Sequence, residues 1–174
     1  AKINLSKDYP KHFGDAYWVW APQTIYDRKA KKYMIYFTLQ RNDRKSLITY
    51  YAYANKDFTG FENEPKQLFS AKYGSIDNDI IERDGTYHLF YKGNTKDENG
   101  KEVKNGIQQA TSKSLKGKWK EDFRYVDAYA GKTPVEGSSI FKLNGKDEYV
   151  LMYDMYTNGR YEYQTSTDLY HFSE

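Results

Sequence analysis

The sequence predicts an all-β fold, a β-propeller of four-stranded antiparallel blades, on three observations. Three blocks of the chain resemble one another, with starts 56 and 60 residues apart. The turns carry Asp-Gly and Asn-Gly dipeptides, which close tight hairpins because Gly, Asn and Asp tolerate positive φ. Aromatic residues make up 18 % of the 174 residues, and 19 of them are Tyr. Aromatic and β-branched side chains suit pleated, half-buried surfaces. Repeats of this length, with three or four strands each, are of blade size.

The elements follow in order. Residues 1–19 read as the tail of a preceding blade or a linker. The first block opens with Trp20-Ala21-Pro22-Gln23, the second with Ile76-Asp77-Asn78-Asp79 and the third with Glu136-Gly137-Ser138-Ser139. A turn follows each opening, at 27–32, 83–86 and 143–148. A strand with aromatics at both ends comes next: YMIYF at 33–37, YHLFY at 87–91 and YVLMY at 149–153. A third strand ends each block at Phe58, Leu115 and Leu169, and Phe61, Trp119 and Phe172 follow shortly after. The blades are therefore placed at about 20–70, 76–126 and 136–174. The polar stretch 94–105 reads as a long surface hairpin loop. The basic stretch 112–122 mimics an amphipathic helix, but Gly117 interrupts it, and no segment carries a sustained helical stripe. A propeller closes with four to eight blades. About three are counted here, and the third stops after its third strand. The chain, which starts at Ala1 rather than Met, reads as a processed or trimmed excerpt of a larger propeller. An excerpt should leave an open sheet edge and an exposed apolar flank.

Composition narrows the chemistry. Lys and Arg number 27 against 24 Asp and Glu, a formal net charge of +3, so no basic face is set aside for nucleic acid or an acidic membrane. There is no Cys, which excludes disulfides, thiolate zinc sites and a Cys nucleophile. The apolar runs fall far short of the roughly 20 residues of a membrane helix. His12, His88 and His171 share no spacing that would suit a metal, and His88 alternates within its strand as an ordinary residue. The stretch 97–100 (DENG) lacks the later Glu of a calcium loop, so no metal is assigned. Neither a phosphate-cradling Gly-rich loop nor a G-x-S-x-G elbow occurs.

In a propeller the first strand of each blade lies nearest the axis, so the block openings converge. They carry Trp20, Asp77, Asp79 and Glu136. Two carboxylates in an aromatic-lined pocket are what glycosidic cleavage requires: one acid protonates the leaving oxygen, and one carboxylate activates water or attacks the sugar. Each residue also has a plainer use. Glu136 fits a solvated turn, Asp77 a turn cap, Asp79 a structural role, and Trp20 either core packing or a sugar platform.

The openings resemble those of glycoside hydrolase family 43, five-bladed propeller enzymes acting on arabinose- and xylose-containing glycans. The family's second blade opens with Trp-Ala-Pro and an acid, matched here by Trp20-Ala21-Pro22-Gln23. Its third blade carries Ile-Asp, matched by Ile76-Asp77, and its fourth Glu-Gly, matched by Glu136-Gly137. The resemblance runs from Trp20 to the end. It implies Glu136 as general acid and Asp77 as the residue that tunes and aims it. Trp20, Gln23 and Asp79 are the implied substrate contacts. The partner is an oligo- or polysaccharide, no cofactor is required, and the location is periplasmic or extracellular. Hydrolysis would proceed with inversion, with acid and base carboxyls separated by about 6.5–9.5 Å. The departures are Gln23 where an acid is common, and Asn78 and Ser138 where many members have Pro. The family's general-base Asp lies in the first blade, which would precede Ala1, and a fifth blade would follow Glu174. The second expectation, from another class, is a non-catalytic carbohydrate-binding propeller. A protein-interaction propeller is disfavoured, since such a scaffold needs no carboxylates at its axis.

Overall fold

The computed structural model describes residues 3–45, 47–93, 99–101, 106–126 and 134–173. They form two compact units, Ala1–Ile76 and Asp77–Glu174. The fold is all-β and of the propeller kind, made of three antiparallel meanders in which each strand pairs with its sequence neighbour. The first sheet orders β1 (Ala16–Asp27), β2 (Lys32–Arg41), β3 (Leu47–Tyr53) and β4 (Lys66–Phe69). The second orders β5 (Ser75–Arg83), β6 (Thr86–Gly93), β7 (Ile107–Ser112) and β8 (Lys120–Val126). The third has β9 (Glu136–Lys142), β10 (Tyr149–Met155) and β11 (Arg160–Ser166). Two four-residue helices, α1 (Leu5–Asp8) and α2 (Pro10–Phe13), precede β1. The 107–122 stretch is strand and turn, not helix. Most of the expected hairpin loop at 94–105 lies outside the described residues.

The aromatic pentads are the second strand of each sheet. Met34, Tyr36 and Phe37 of β2, Leu89, Phe90 and Tyr91 of β6, and Leu151 and Tyr153 of β10 are all buried. These strands are apolar on both faces, which is why they read as runs rather than as alternations. In the first unit, Leu5 and Phe13 of the helices join Phe37 and Leu39 of β2 in one cluster, so the short helices are tied down by apolar burial. In the second unit, Phe90 and Ile107 of one sheet meet Ile140, Tyr149, Leu151 and Tyr153 of the next.

Side-chain turn chemistry closes the strands. Buried Asp27 accepts from the backbone N–H groups of Lys29 and Ala30, both at 3.0 Å, and from the Tyr53 hydroxyl at 2.5 Å. Asp84 and Gly85 take φ of 49° and 74°, the two left-handed residues of a two-residue hairpin loop between Arg83 and Thr86. At the block ends, Asn55 Oδ1 accepts from Thr59 and Gly60. Ser112 Oγ accepts from Ser114, and Ser166 Oγ from Asp168 and Leu169. Leu115 and Leu169 are buried there, whereas Phe58 of the first block is 59 % exposed.

Two tyrosines of the third sheet stand in solvent. The third sheet has three strands, and Tyr161 and Tyr163 of β11 are 67 % and 66 % exposed. Ser173 shields one end of that edge by bonding the backbone of Thr165 in both directions, at 2.8 and 2.9 Å.

The His88 ring is 2 % exposed, stands 5.1 Å from the Tyr170 ring, and has Nδ1 at 2.9 Å from Gln109 Nε2. Gln109 Nε2 also donates to Leu169 O at 2.8 Å, so the imidazole is part of the turn that ends the third block. Burial, then the charges of Arg83 and Lys113, push the His88 pKa down from 6.5 to about 4, against a smaller pull from Asp168 and Glu82. A depressed histidine leaves the fold at full stability above its unfolded pKa and costs stability as pH falls from 6.5 toward 4. Chemical denaturation at pH 7 and pH 4 should therefore show the parent losing about 3 kcal/mol more than His88→Gln over that range. Equal losses would show that His88 does not govern the acid sensitivity.

Candidate active site

The three openings share one backbone feature. Their second residues, Ala21, Asp77 and Gly137, all have positive φ, at 45°, 53° and 64°. The ladder slips by one residue at the same place, between Trp20 and Gln23 against β2, and between Met152 and Asp154 opposite Glu136. Each of these is a β-bulge, a device that re-aims side chains and is common beside active sites. Gly accepts the left-handed conformation freely and Asp more readily than most. Ala21 bears a cost of roughly 1–2 kcal/mol.

The second unit brings Asp77, Asp79 and Glu136 together. β9 pairs with β10 on one side only within its sheet. Its other edge is held by side chains of β5. Asp77 Oδ2 accepts from Gly137 N at 2.9 Å, and Asp79 Oδ2 accepts from Ile140 N at 2.8 Å. Asp79 Oδ1 takes Ile80 N at 3.0 Å, so both oxygens of this residue, expected from the sequence to face sugar, are engaged by backbone amides. Ser138, at the position where the resembled family has Pro, donates from Oγ to Asp77 O at 2.5 Å and lies 3.3 Å from Phe90 O. Its hydroxyl is a clip that proline cannot supply.

Glu136 is only partly buried, and its Oε2 lies 2.7 Å from Lys92 Nζ. The ammonium stands 4.9 Å from the centroid of the Tyr156 ring, which is 44 % exposed. Burial raises the Asp77 pKa above its ordinary value. The Gly137 N–H opposes this, the Glu136 charge adds to it, and the Lys92 charge opposes it again. Trp20 and Gln23 stand in the first unit, on β1 and flanking its bulge, both partly buried.

Lys92 and Tyr156 escape a reading confined to the block openings. A signal existed in the repeat itself. The residue directly after each pentad is Thr38, Lys92 or Asp154, and Thr38 and Asp154 pair in register with the openings at Trp20 and Glu136. Among the described residues, no group of three His, Asp or Glu side chains is placed to hold a metal ion.

A family model described as "Probable glycosyl hydrolase domain", of the family 43-related type, matches residues 5–173. The chain belongs to that family of glycosyl hydrolase domains. No curated protein matches it. Among solved structures, the endo-arabinase of Bacteroides thetaiotaomicron aligns with a TM-score of 0.60 at 19 % identity, covering 78 % of this chain and 50 % of that one. The catalytic domain of the Coprinopsis cinerea GH62 α-L-arabinofuranosidase aligns at 0.61 and 16 %, covering 90 % and 50 %. The GH43 enzyme of Xanthomonas citri, complexed with xylotriose, aligns at 0.62 and 18 %, covering 88 % and 53 %. At these identities the likeness is one of fold. The chain spans about half the length of the structures it matches.

Asp77 gives a test of the geometry. A carboxyl whose folded pKa is raised stabilises the fold below its unfolded pKa, and that contribution is lost as pH rises through the folded value. Near pH 7 the ionised Asp77 is thus a net cost. Asp77→Asn keeps an oxygen to accept the Gly137 N–H and removes the buried charge. It should melt at or above the parental temperature at pH 7, while Asp77→Ala, which hands that exposed N–H back to water, should lose about 0.5–1.5 kcal/mol. A drop in melting temperature for Asp77→Asn equal to that of Asp77→Ala would overturn the assignment.

Proposed function

We propose that this chain carries the general-acid half of a glycoside hydrolase acting with inversion on arabinose- or xylose-containing glycans. The observation that carries the reading is the bond from Gly137 N to Asp77 Oδ2, which fixes the backbone beside Glu136 against the Asp77 carboxylate. Glu136 is the general acid. It protonates the glycosidic oxygen as the bond to the anomeric carbon breaks. Asp77 positions it through the Gly137 backbone. Water, deprotonated by a carboxylate supplied from beyond these residues, attacks the opposite face of the sugar. Trp20 and Gln23 contact the sugar, and Asp79 acts by holding β9 in place. Family membership and the fold shared with arabinan- and xylan-active enzymes support the saccharide class. The resemblance also favours a periplasmic or extracellular setting.

One observation favours a second reading, a carbohydrate-binding propeller without turnover. Glu136 is ion-paired with Lys92, and a paired carboxylate must be freed before it can deliver a proton.

The two readings separate on Glu136→Gln in the protein that carries this chain. General acid catalysis contributes about 10²–10⁴-fold, so turnover of an unactivated oligosaccharide should fall by that factor with binding retained. An aryl glycoside with a good leaving group needs no proton and should lose far less. Parental rates on the unactivated substrate would remove Glu136 from the acid role and leave the binding module as the better account.

A further inference from the structure

Lys92 and Tyr156 take no part in the reading above, yet Lys92 is the group that touches Glu136. We propose that Lys92 is a substrate-binding residue, which exchanges the Glu136 carboxylate for an anionic substituent, carboxylate or sulfate, on a sugar lying over Tyr156. This inference rests on Glu136 being the general acid.

The geometry favours an exchange. The ammonium has three donors and no acceptor. One donor meets Glu136 Oε2 at 2.7 Å, and the cation sits 4.9 Å from the Tyr156 ring centroid, within cation–π range. With Oε2 held by that donor, a proton on Glu136 is confined to the other oxygen, beside a cation that opposes it. Parting the pair frees Oε2 to carry the proton and present it to a leaving group. A neutral hydroxyl offers Lys92 a weaker partner than the carboxylate it would give up, because charge-assisted hydrogen bonds are roughly twice as strong as neutral ones. An anion on the substrate replaces the carboxylate like for like and leaves Glu136 free to carry a proton.

The surroundings suit the exchange. The side chains of Lys92 and Glu136 retain 27 % and 36 % of their exposure, so a sugar can reach them. Among the described residues, the charged groups placed beside Glu136 are Lys92 on β6, Asp77 on β5, and Asp154 on β10 opposite Glu136 in register, and Lys92 is the one cation of the three. The backbone beside Lys92 is closely packed. A Cβ on Gly93 would stand 1.5 Å from Gln108 Oε1, so the buried Gln108 side chain packs directly on the backbone next to Lys92. The cation belongs to this repeat alone, since Thr38 and Asp154 occupy the matching positions.

Calorimetric titration of the full chain tests this without turnover. The probes are xylotriose, xylotriose bearing a glucuronic acid branch, and a sulfated xylotriose. At low salt at least one acidic ligand should bind ten-fold or more tighter than the neutral one, and the advantage should shrink as salt screens the contact. Whichever acidic ligand holds the advantage identifies the substituent. Lys92→Met, shown folded by its melting curve, should erase the advantage while leaving xylotriose binding within about two-fold, and Lys92→Arg should keep part of it. Equal binding of acidic and neutral ligands by the parent, or an equal loss of both in Lys92→Met, overturns the proposal. Hydrolysis is read separately, in the protein that carries this chain together with the base carboxylate. An acidic preference without turnover there keeps Lys92 as an anion contact but removes the exchange with an acid and the hydrolase reading, whereas no saccharide binding removes both.

Discussion

Strand β9 begins its sheet with one edge unpaired to any strand within that sheet, and the carboxylates of β5 supply the missing acceptors. A backbone N–H left without a partner costs about 1–3 kcal/mol when buried, as that of Ile140 would be, while Gly137 lies at the exposed end of the seam. Asp77 and Asp79 therefore join the two sheets of the second unit through Gly137 and Ile140, and the Ser138 hydroxyl closes the same seam from the β9 side. Everything said about Glu136 depends on this seam, because it fixes the backbone on which Glu136 stands. Asp77 is at once the mechanical tie and a carboxylate that feels the charge of the proposed acid.

The bulge explains why three dissimilar openings are equivalent. What the repeats share is not a residue type but a left-handed backbone step, taken by Ala21, Asp77 and Gly137. Glycine meets that demand at no steric cost, aspartate meets it while adding a carboxylate, and alanine meets it under strain. The residue type at this step thus varies with the work each repeat does, while the geometry that turns the preceding side chain stays the same.

Charge balance gives the site its character. Asp77, Glu136 and Asp154 outnumber Lys92, and the lysine settles on one carboxylate and one aromatic face. A pair of this kind, partly open to water, is weakly held. It can be exchanged by a ligand at little cost, which suits a contact that must open and close.

The fold and part of the site were legible in the residues. The pentads at 33–37, 87–91 and 149–153 became the second strands, mostly buried although Tyr33 and Met152 reach solvent, because their side chains are aromatic or aliphatic on both faces. Asp84-Gly85 closed its hairpin because both residues tolerate positive φ. The pairing of Asp77 with the Glu136–Gly137 segment followed from the register of the repeats, since equivalent strands occupy equivalent places. The partner of Lys92 and the double engagement of Asp79 were not legible. Each depends on which neighbour lies across a seam between sheets, 44 residues away for Lys92 and 61 for Asp79. Local pattern carries the period of a strand and the chemistry of a turn. Which donor meets which carboxylate across two packed sheets is decided only when the sheets pack, because the same lysine on an isolated hairpin would face water.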